Sequence, residues 1–175
     1  MSRAFVNEDR LDDSGEAAPE RIQSALPNYI TPQGLEALSR KVEGLIAARD
    51  KASAIDDEEE RRQQVTRIER DLRYFQTRLE TAVPVDPNQS ADDHVHFGSE
   101  VKVIDAEGRE RTYVIVGEDE ADPSRGWVSW ASPLARALMN AREGEVVTFQ
   151  RPSGGAELEV SRIRNARLGE RKSGD

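Results

Sequence analysis

The 175-residue chain contains no cysteine. That excludes disulfides, thiolate metal sites and cysteine nucleophiles, and it suits a reducing compartment. Aromatic residues make up only 5% of the chain, so any core is small and mainly aliphatic. No run of about 18 apolar residues occurs, and no transmembrane helix is expected. The first ten residues lack the apolar stretch of a secretory signal, which points to a cytoplasmic location. No phosphate-cradling glycine loop, nucleophile elbow, zinc spacing or Ser/His/Asp constellation is found. Nothing therefore supports an enzymatic activity of its own. The two histidines, His94 and His96, stand at i, i+2 with no third ligand, a weak metal signal.

Charge is abundant: 34% of residues are charged against 36% hydrophobic, and the net charge is −9. Duplex DNA binding is driven by Lys and Arg displacing counterions, so strong DNA binding is not expected. A protein partner, a metal ion or a basic channel fits an acidic chain better. Residues 1–28 combine scattered acids with small residues and prolines, and read as a disordered acidic tail.

Order is expected from Tyr29. Thr31-Pro32 is a helix start, with Thr as N-cap and Pro at the first helical position. Leu35, Leu38, Val42 and Leu45 then recur at spacing 3-4-3. Val65, Ile68, Leu72, Phe75, Leu79 and Ala82 recur at 3-4-3-4-3, a heptad seam ended by Pro84 and Pro87. In an antiparallel hairpin, facing positions have a constant residue-number sum. Leu35 with Ala82, Leu38 with Leu79, Val42 with Phe75 and Leu45 with Leu72 share one sum. That register centres the turn between Glu58 and Glu59, inside a tip at residues 53–62. Residues 29–85 thus predict a coiled-coil hairpin with an outer end that reaches toward something.

Residues 86–93 form a polar linker. Beyond it, residues 95–97, 101–105, 111–116 and 127–130 read as short strands. Ser132-Pro133 opens a short helix, and residues 146–150 and 158–163 form a hairpin across Ser153-Gly-Gly155. The predicted class is α+β: the hairpin followed by an antiparallel sheet with one helix, over residues 94–164, and then a polar tail at 165–175.

Two acidic stretches carry the functional candidates. Asp56, Asp57, Glu58, Glu59 and Glu60 fall at the calculated apex. One reading makes them a solvated run favourable at a helix N-terminus. The other makes them carboxylates delivered on a stalk to Mg²⁺, a hard cation that prefers oxygen ligands, or to basic groups of a partner. Residues 116–123 form an acidic loop after a strand, either a plain connection or an exposed docking loop.

Ile115-Val-Gly-Glu-Asp-Glu-Ala-Asp122 followed by Ser132-Pro-Leu-Ala-Arg-Ala-Leu138 resembles the paired signature of the GreA/GreB transcription elongation factors. His96-Phe-Gly-Ser-Glu-Val101 resembles the start of the same domain. Tyr29-Ile-Thr-Pro-Gln-Gly34 and Asp71-Leu-Arg-Tyr-Phe75 through Val83-Pro-Val-Asp86 resemble the hairpin of GreB-like members. The resemblance implies an FKBP-like C-terminal domain that docks at the rim of the bacterial RNA polymerase secondary channel. It implies a coiled coil that enters the channel, where acidic tip residues help hold a catalytic Mg²⁺ and the polymerase cuts backtracked RNA. By motif match, Asp119, Glu120, Ala121, Asp122, Pro123, Ser132, Pro133 and Arg136 belong to the docking region. The implied partner is the polymerase, with indirect contact with nascent RNA and no membrane. No cofactor of its own is implied; a Mg²⁺ shared through Asp56 and Asp57 is the metal candidate.

This chain departs from the family at the tip. The motif Gly-Asp-x-x-Glu-Asn-Ala-x-Tyr is absent, so no catalytic pair transfers to numbered positions. The hairpin is shorter than the resemblance implies by about two heptads, which withdraws the tip by roughly 10 Å. Three readings stand: a cleavage-promoting factor, a non-cleaving regulator competing for the same port, and an acidic coiled-coil adaptor unrelated to polymerase.

Overall fold

The computed structural model describes residues 19–89 and 93–166. Helix α1 spans Pro32–Ser53. The Thr31 side chain caps it, accepting a hydrogen bond from the Gly34 N–H at 3.0 Å, with Pro32 at the first helical position. Helix α2 spans Glu58–Glu80 and packs antiparallel against α1. Every position of the expected seam is buried or half-buried, and Leu38, Val42 and Leu72 are the most enclosed.

The turn lies at residues 54–57, about three residues before the centre the register gives. The reason is local capping. Asp57 accepts a hydrogen bond from the Glu60 N–H at 2.8 Å, so α2 begins at Glu58 and takes Glu58, Glu59 and Glu60 into its first turn. Acids there complement the positive end of the helix dipole. Seam pairing sets which faces meet; the cap sets where the helix starts.

The open end of the hairpin is tied shut. Strand β1, Tyr29–Ile30, pairs in parallel with β2, Val83–Pro84. The Val83 N–H donates to Asn28 O and the Val85 N–H to Ile30 O, both at 2.8 Å. The segment before β1 runs beside α2: Gln23 Nε2 donates to Tyr74 O at 3.3 Å, and buried Asn28 donates to Arg78 O at 2.6 Å. Of the expected tail, residues 1–18 lie outside the described residues.

The C-terminal sheet has the order β5-β4-β3-β7-β6. Its strands are β3 (Ser99–Asp105), β4 (Glu110–Val116), β5 (Trp127–Ser129), β6 (Val146–Arg151) and β7 (Gly154–Asn165). Val101, Val103, Ile115, Leu158, Val160 and Ile163 form its core, covered by Ala135 and Leu138 of helix α3, Pro133–Leu138. Ser132 caps α3 by accepting from the Ala135 N–H at 3.2 Å.

Two details differ from expectation. The sheet is mixed, because β5 pairs in parallel with β4 while the other neighbours are antiparallel. A ten-residue loop with two 3-10 turns separates β4 from β5, so the chain returns to run the same way instead of closing a tight hairpin. Residues 95–97 form no strand. Val95 is fully buried and exchanges backbone hydrogen bonds with Asn140 and Ala141 beyond α3, which satisfies its polar groups outside any sheet.

Candidate functional site

At the tip the five acids divide by what already engages them. Asp57 is committed to its cap through Oδ1. Glu59 accepts from Arg62 Nη2 at 2.5 Å and from Gln63 at 2.8 Å, hydrogen bonds that hold its carboxyl below the usual range, Gln63 first and Arg62 next. Glu60 accepts from Gln64 at 2.9 Å. Arg61 Nη1 donates to Ile55 O at 2.7 Å and closes the turn from within. Asp56 and Glu58 are exposed and have no side-chain partner among the described residues. Within that span no group of three or more His, Cys, Asp or Glu side chains is placed to hold a metal ion.

The second acidic stretch is split between inside and outside. Asp119 and Glu120 turn back onto the hairpin base. Arg78 of α2 is 2% exposed, and its Nε donates to Asp119 Oδ2 at 2.5 Å while Nη2 lies 3.4 Å from Glu118. The Tyr74 hydroxyl donates to Asp119 Oδ1 at 3.2 Å. Burial, and then the Asp119 charge, push the Tyr74 phenol above its ordinary range.

Glu120 reaches the start of α1. Its Oε2 accepts from the Thr31 N–H at 3.0 Å and the Gly117 N–H at 2.9 Å, and its Oε1 accepts from the Thr31 hydroxyl. Thr31 thus caps its helix with one lone pair and donates its proton to Glu120. The approach is so close that a side chain at either of two glycines would force its neighbours to shift. A Cβ on Gly34 would lie 2.1 Å from Glu120 Oε1, and one on Gly117 would lie 2.4 Å from Tyr29 O. Beside this polar clamp, the Tyr29 ring packs edge-on to Trp130 at 5.0 Å and near Phe97 at 6.1 Å. Polar and aromatic contacts together bind the hairpin base to the C-terminal sheet.

The remaining candidates face outward. Ala121, Pro123, Pro133 and Arg136 are exposed, and Asp122 and Ser132 are half-buried. Asp122 accepts from the Ser124 N–H at 3.0 Å and the Ser124 hydroxyl at 2.6 Å, which holds its carboxyl below the usual range. Arg125 stacks at 3.7 Å over Trp127. The loop at 121–126 and the start of α3 flank β5, so one strand positions both motifs. Sequence reasoning did not single out Gly34, Tyr74 or Arg78, and it took Gly117 only as a residue that limits the shapes of the acidic loop. A glycine in the first turn of a helix was the one available signal, since glycine there needs a packing reason.

The family described as transcription elongation factor, GreA/GreB, C-terminal matches residues 89–165. Transcription elongation factor GreB of Neisseria meningitidis serogroup A is 38% identical over 148 residues, covering 76% of this chain and 91% of the relative. Transcription elongation factor GreA of Alkalilimnicola ehrlichii is 42% identical over 105 residues, covering 59% of this chain and 66% of the relative. Among solved structures, GreA factor homolog 1 of Thermus thermophilus is 25% identical. It covers 80% of this chain and 100% of that one, with a TM-score of 0.39. In the Neisseria match, 76% of 175 residues is about 133, so a span of 148 leaves about 15 positions of the relative without a counterpart here. That is close to two heptads.

Proposed function

We propose a mode of action for this chain, which belongs to the GreA/GreB family of transcription elongation factors. Membership removes the reading of an adaptor unrelated to polymerase. The protein binds RNA polymerase through its C-terminal domain at the rim of the secondary channel, sends the hairpin inward and regulates elongation. The observation that supports this is the clamp. Arg78 and Thr31 at the hairpin base are held by Asp119 and Glu120 of the sheet domain, so seating one sets the direction of the other.

The division of labour follows from exposure. Ala121, Asp122, Pro123, Ser132, Pro133 and Arg136 form the outward docking face. Asp119 and Glu120 position that loop from behind. At the tip, Asp56 and Glu58 are the acids free to face a Mg²⁺ of the polymerase, because Asp57 is held as a cap. The protein supplies no cofactor of its own.

The missing 15 or so positions favour a second reading, a non-cleaving occupant of the channel. Placed in the two arms of the hairpin, they would shorten the reach by roughly 10 Å, several times a metal–carboxylate bond of about 2 Å. RNA cleavage in backtracked complexes of the cognate polymerase separates the two. Faster cleavage that disappears in Asp56→Ala/Glu58→Ala identifies a cleavage factor. No cleavage, with inhibition of an added cleaving relative, identifies the occupant. Neither effect would refute both.

A further inference from the structure

Residues 20–28 lie outside the region that resembles the family, yet they have a defined place along α2. Glu20 pairs with Arg73. The Arg21 guanidinium sits 4.2 Å over the Tyr74 ring and 5.1 Å from that of Phe75, and 3.9 Å from Asp71. Gln23 and Asn28 bond to backbone carbonyls of α2, as described above. Glu20, Arg21, Gln23 and Asn28 are thus spent on the helix, while Ser24 accepts from the Leu26 N–H within the strap. The aliphatic side chains of the strap are not: Ile22 is 94% exposed and Leu26 is 44% exposed. Val83, held beside the strap by its bond to Asn28, is 45% exposed. These are three of the five large exposed hydrophobic side chains among the described residues.

Water favours the opposite arrangement, with aliphatic groups against the helix and charges outside. Two of those five side chains lie on this nine-residue segment and a third beside it, an inverted arrangement that suits a contact surface. The partner follows from what the strap touches. Arg21 covers Tyr74, and Tyr74 donates to Asp119 at the inner side of the acidic loop, so the strap abuts the loop whose outer residues form the docking face. We propose that residues 20–28 form a second docking element for RNA polymerase, with Ile22 and Leu26 as its apolar contacts beside Val83. This rests on the docking reading given above. The few, mostly exposed contacts to α2 hold the strap in place before binding and lower the ordering cost at docking.

The test is the affinity of full-length Ile22→Ser/Leu26→Ser for immobilised core polymerase, read by interferometry beside the unaltered chain. At least tenfold weaker binding is expected, with an unchanged unfolding midpoint because both side chains are exposed. Arg21→Ala/Gln23→Ala keeps both aliphatic groups and frees the strap; it should weaken binding by a smaller factor. Equal affinity for the serine variant overturns the proposal and leaves the docking reading standing. Equal affinity with loss of a self-associated species in sedimentation also overturns it and assigns the patch to a second copy. An unaltered chain that fails to bind polymerase sinks the docking reading itself, and this inference with it.

Discussion

Asp119→Ala should be among the more damaging changes in the protein, although Asp119 belongs to a loop that reads as solvated. Its carboxylate is the nearest anion to a guanidinium whose side chain is only 3% exposed. Removing it leaves Arg78 buried, with Glu118 at 3.4 Å as its remaining counter-charge. An uncompensated buried charge costs about 3–5 kcal/mol. The residual Glu118 contact places the expectation at the low end, about 3 kcal/mol. The reverse change is milder. In Arg78→Met the aliphatic stem stays packed, and Asp119 and Glu118 can rehydrate at 15% and 25% exposure. A cost of about 1–2 kcal/mol is expected. The double variant should cost less than the sum of the singles by at least about 1.5 kcal/mol, because no lone guanidinium remains. Urea unfolding followed by fluorescence of Trp127 and Trp130 reads all four corners of the cycle. In a thermal scan, 3 kcal/mol is about 6–12 °C for a chain of this size. If Asp119→Ala falls within about 0.5 kcal/mol of the unaltered protein, or the costs are additive, the clamp is an ordinary surface ion pair and the reasoning fails.

Other outcomes follow from the same geometry. Gly34→Ala should cost about 2 kcal/mol, because its Cβ meets a Glu120 carboxylate pinned by three donors. Gly44→Ala, mid-helix with open space around it, should instead stabilise by about 0.5–1 kcal/mol; chemical denaturation gives both signs. Asp57→Ala removes the α2 cap and should cost about 1 kcal/mol, seen as faster amide exchange in the first turn of α2. The Tyr74 phenol has a folded-state pKa above its ordinary 10.0. The neutral form is therefore favoured by folding, and its contribution to stability, complete below about pH 10, is lost as pH rises above that value. Tyr74→Phe should flatten the loss of stability above about pH 10, and absorbance at 295 nm tracks the phenolate.

The hairpin is legible in the sequence because its signals are local and repeated. The heptad spacing names its buried face, and Thr31-Pro32 and Ser132-Pro133 mark two helix starts that the structure realises as capped ends. The tip is offset because the cap at Asp57 belongs to a different level of description from the seam. The clamp is the part that could not be read. Arg78 and Asp119 are 41 residues apart, and Thr31 and Glu120 are 89 apart. An acidic loop that pairs with buried groups has the same composition as one that pairs with water. The parallel β5 is hidden for a similar reason: three residues carry no sign of strand direction, and the loop before them decides it. Likewise, Val95 looks like the start of a strand because buried plugs and buried strands share the same residue types.

The most direct measurement is displacement. A fluorescent GreB bound to the cognate core polymerase would be titrated with this protein and with an Asp122→Arg/Arg136→Glu variant that reverses the charge of the docking face. A factor that seats at the secondary-channel rim should displace GreB competitively, and the variant should need at least tenfold more protein to do so. Simultaneous binding of both proteins, or displacement that ignores the docking face, would contradict the assignment.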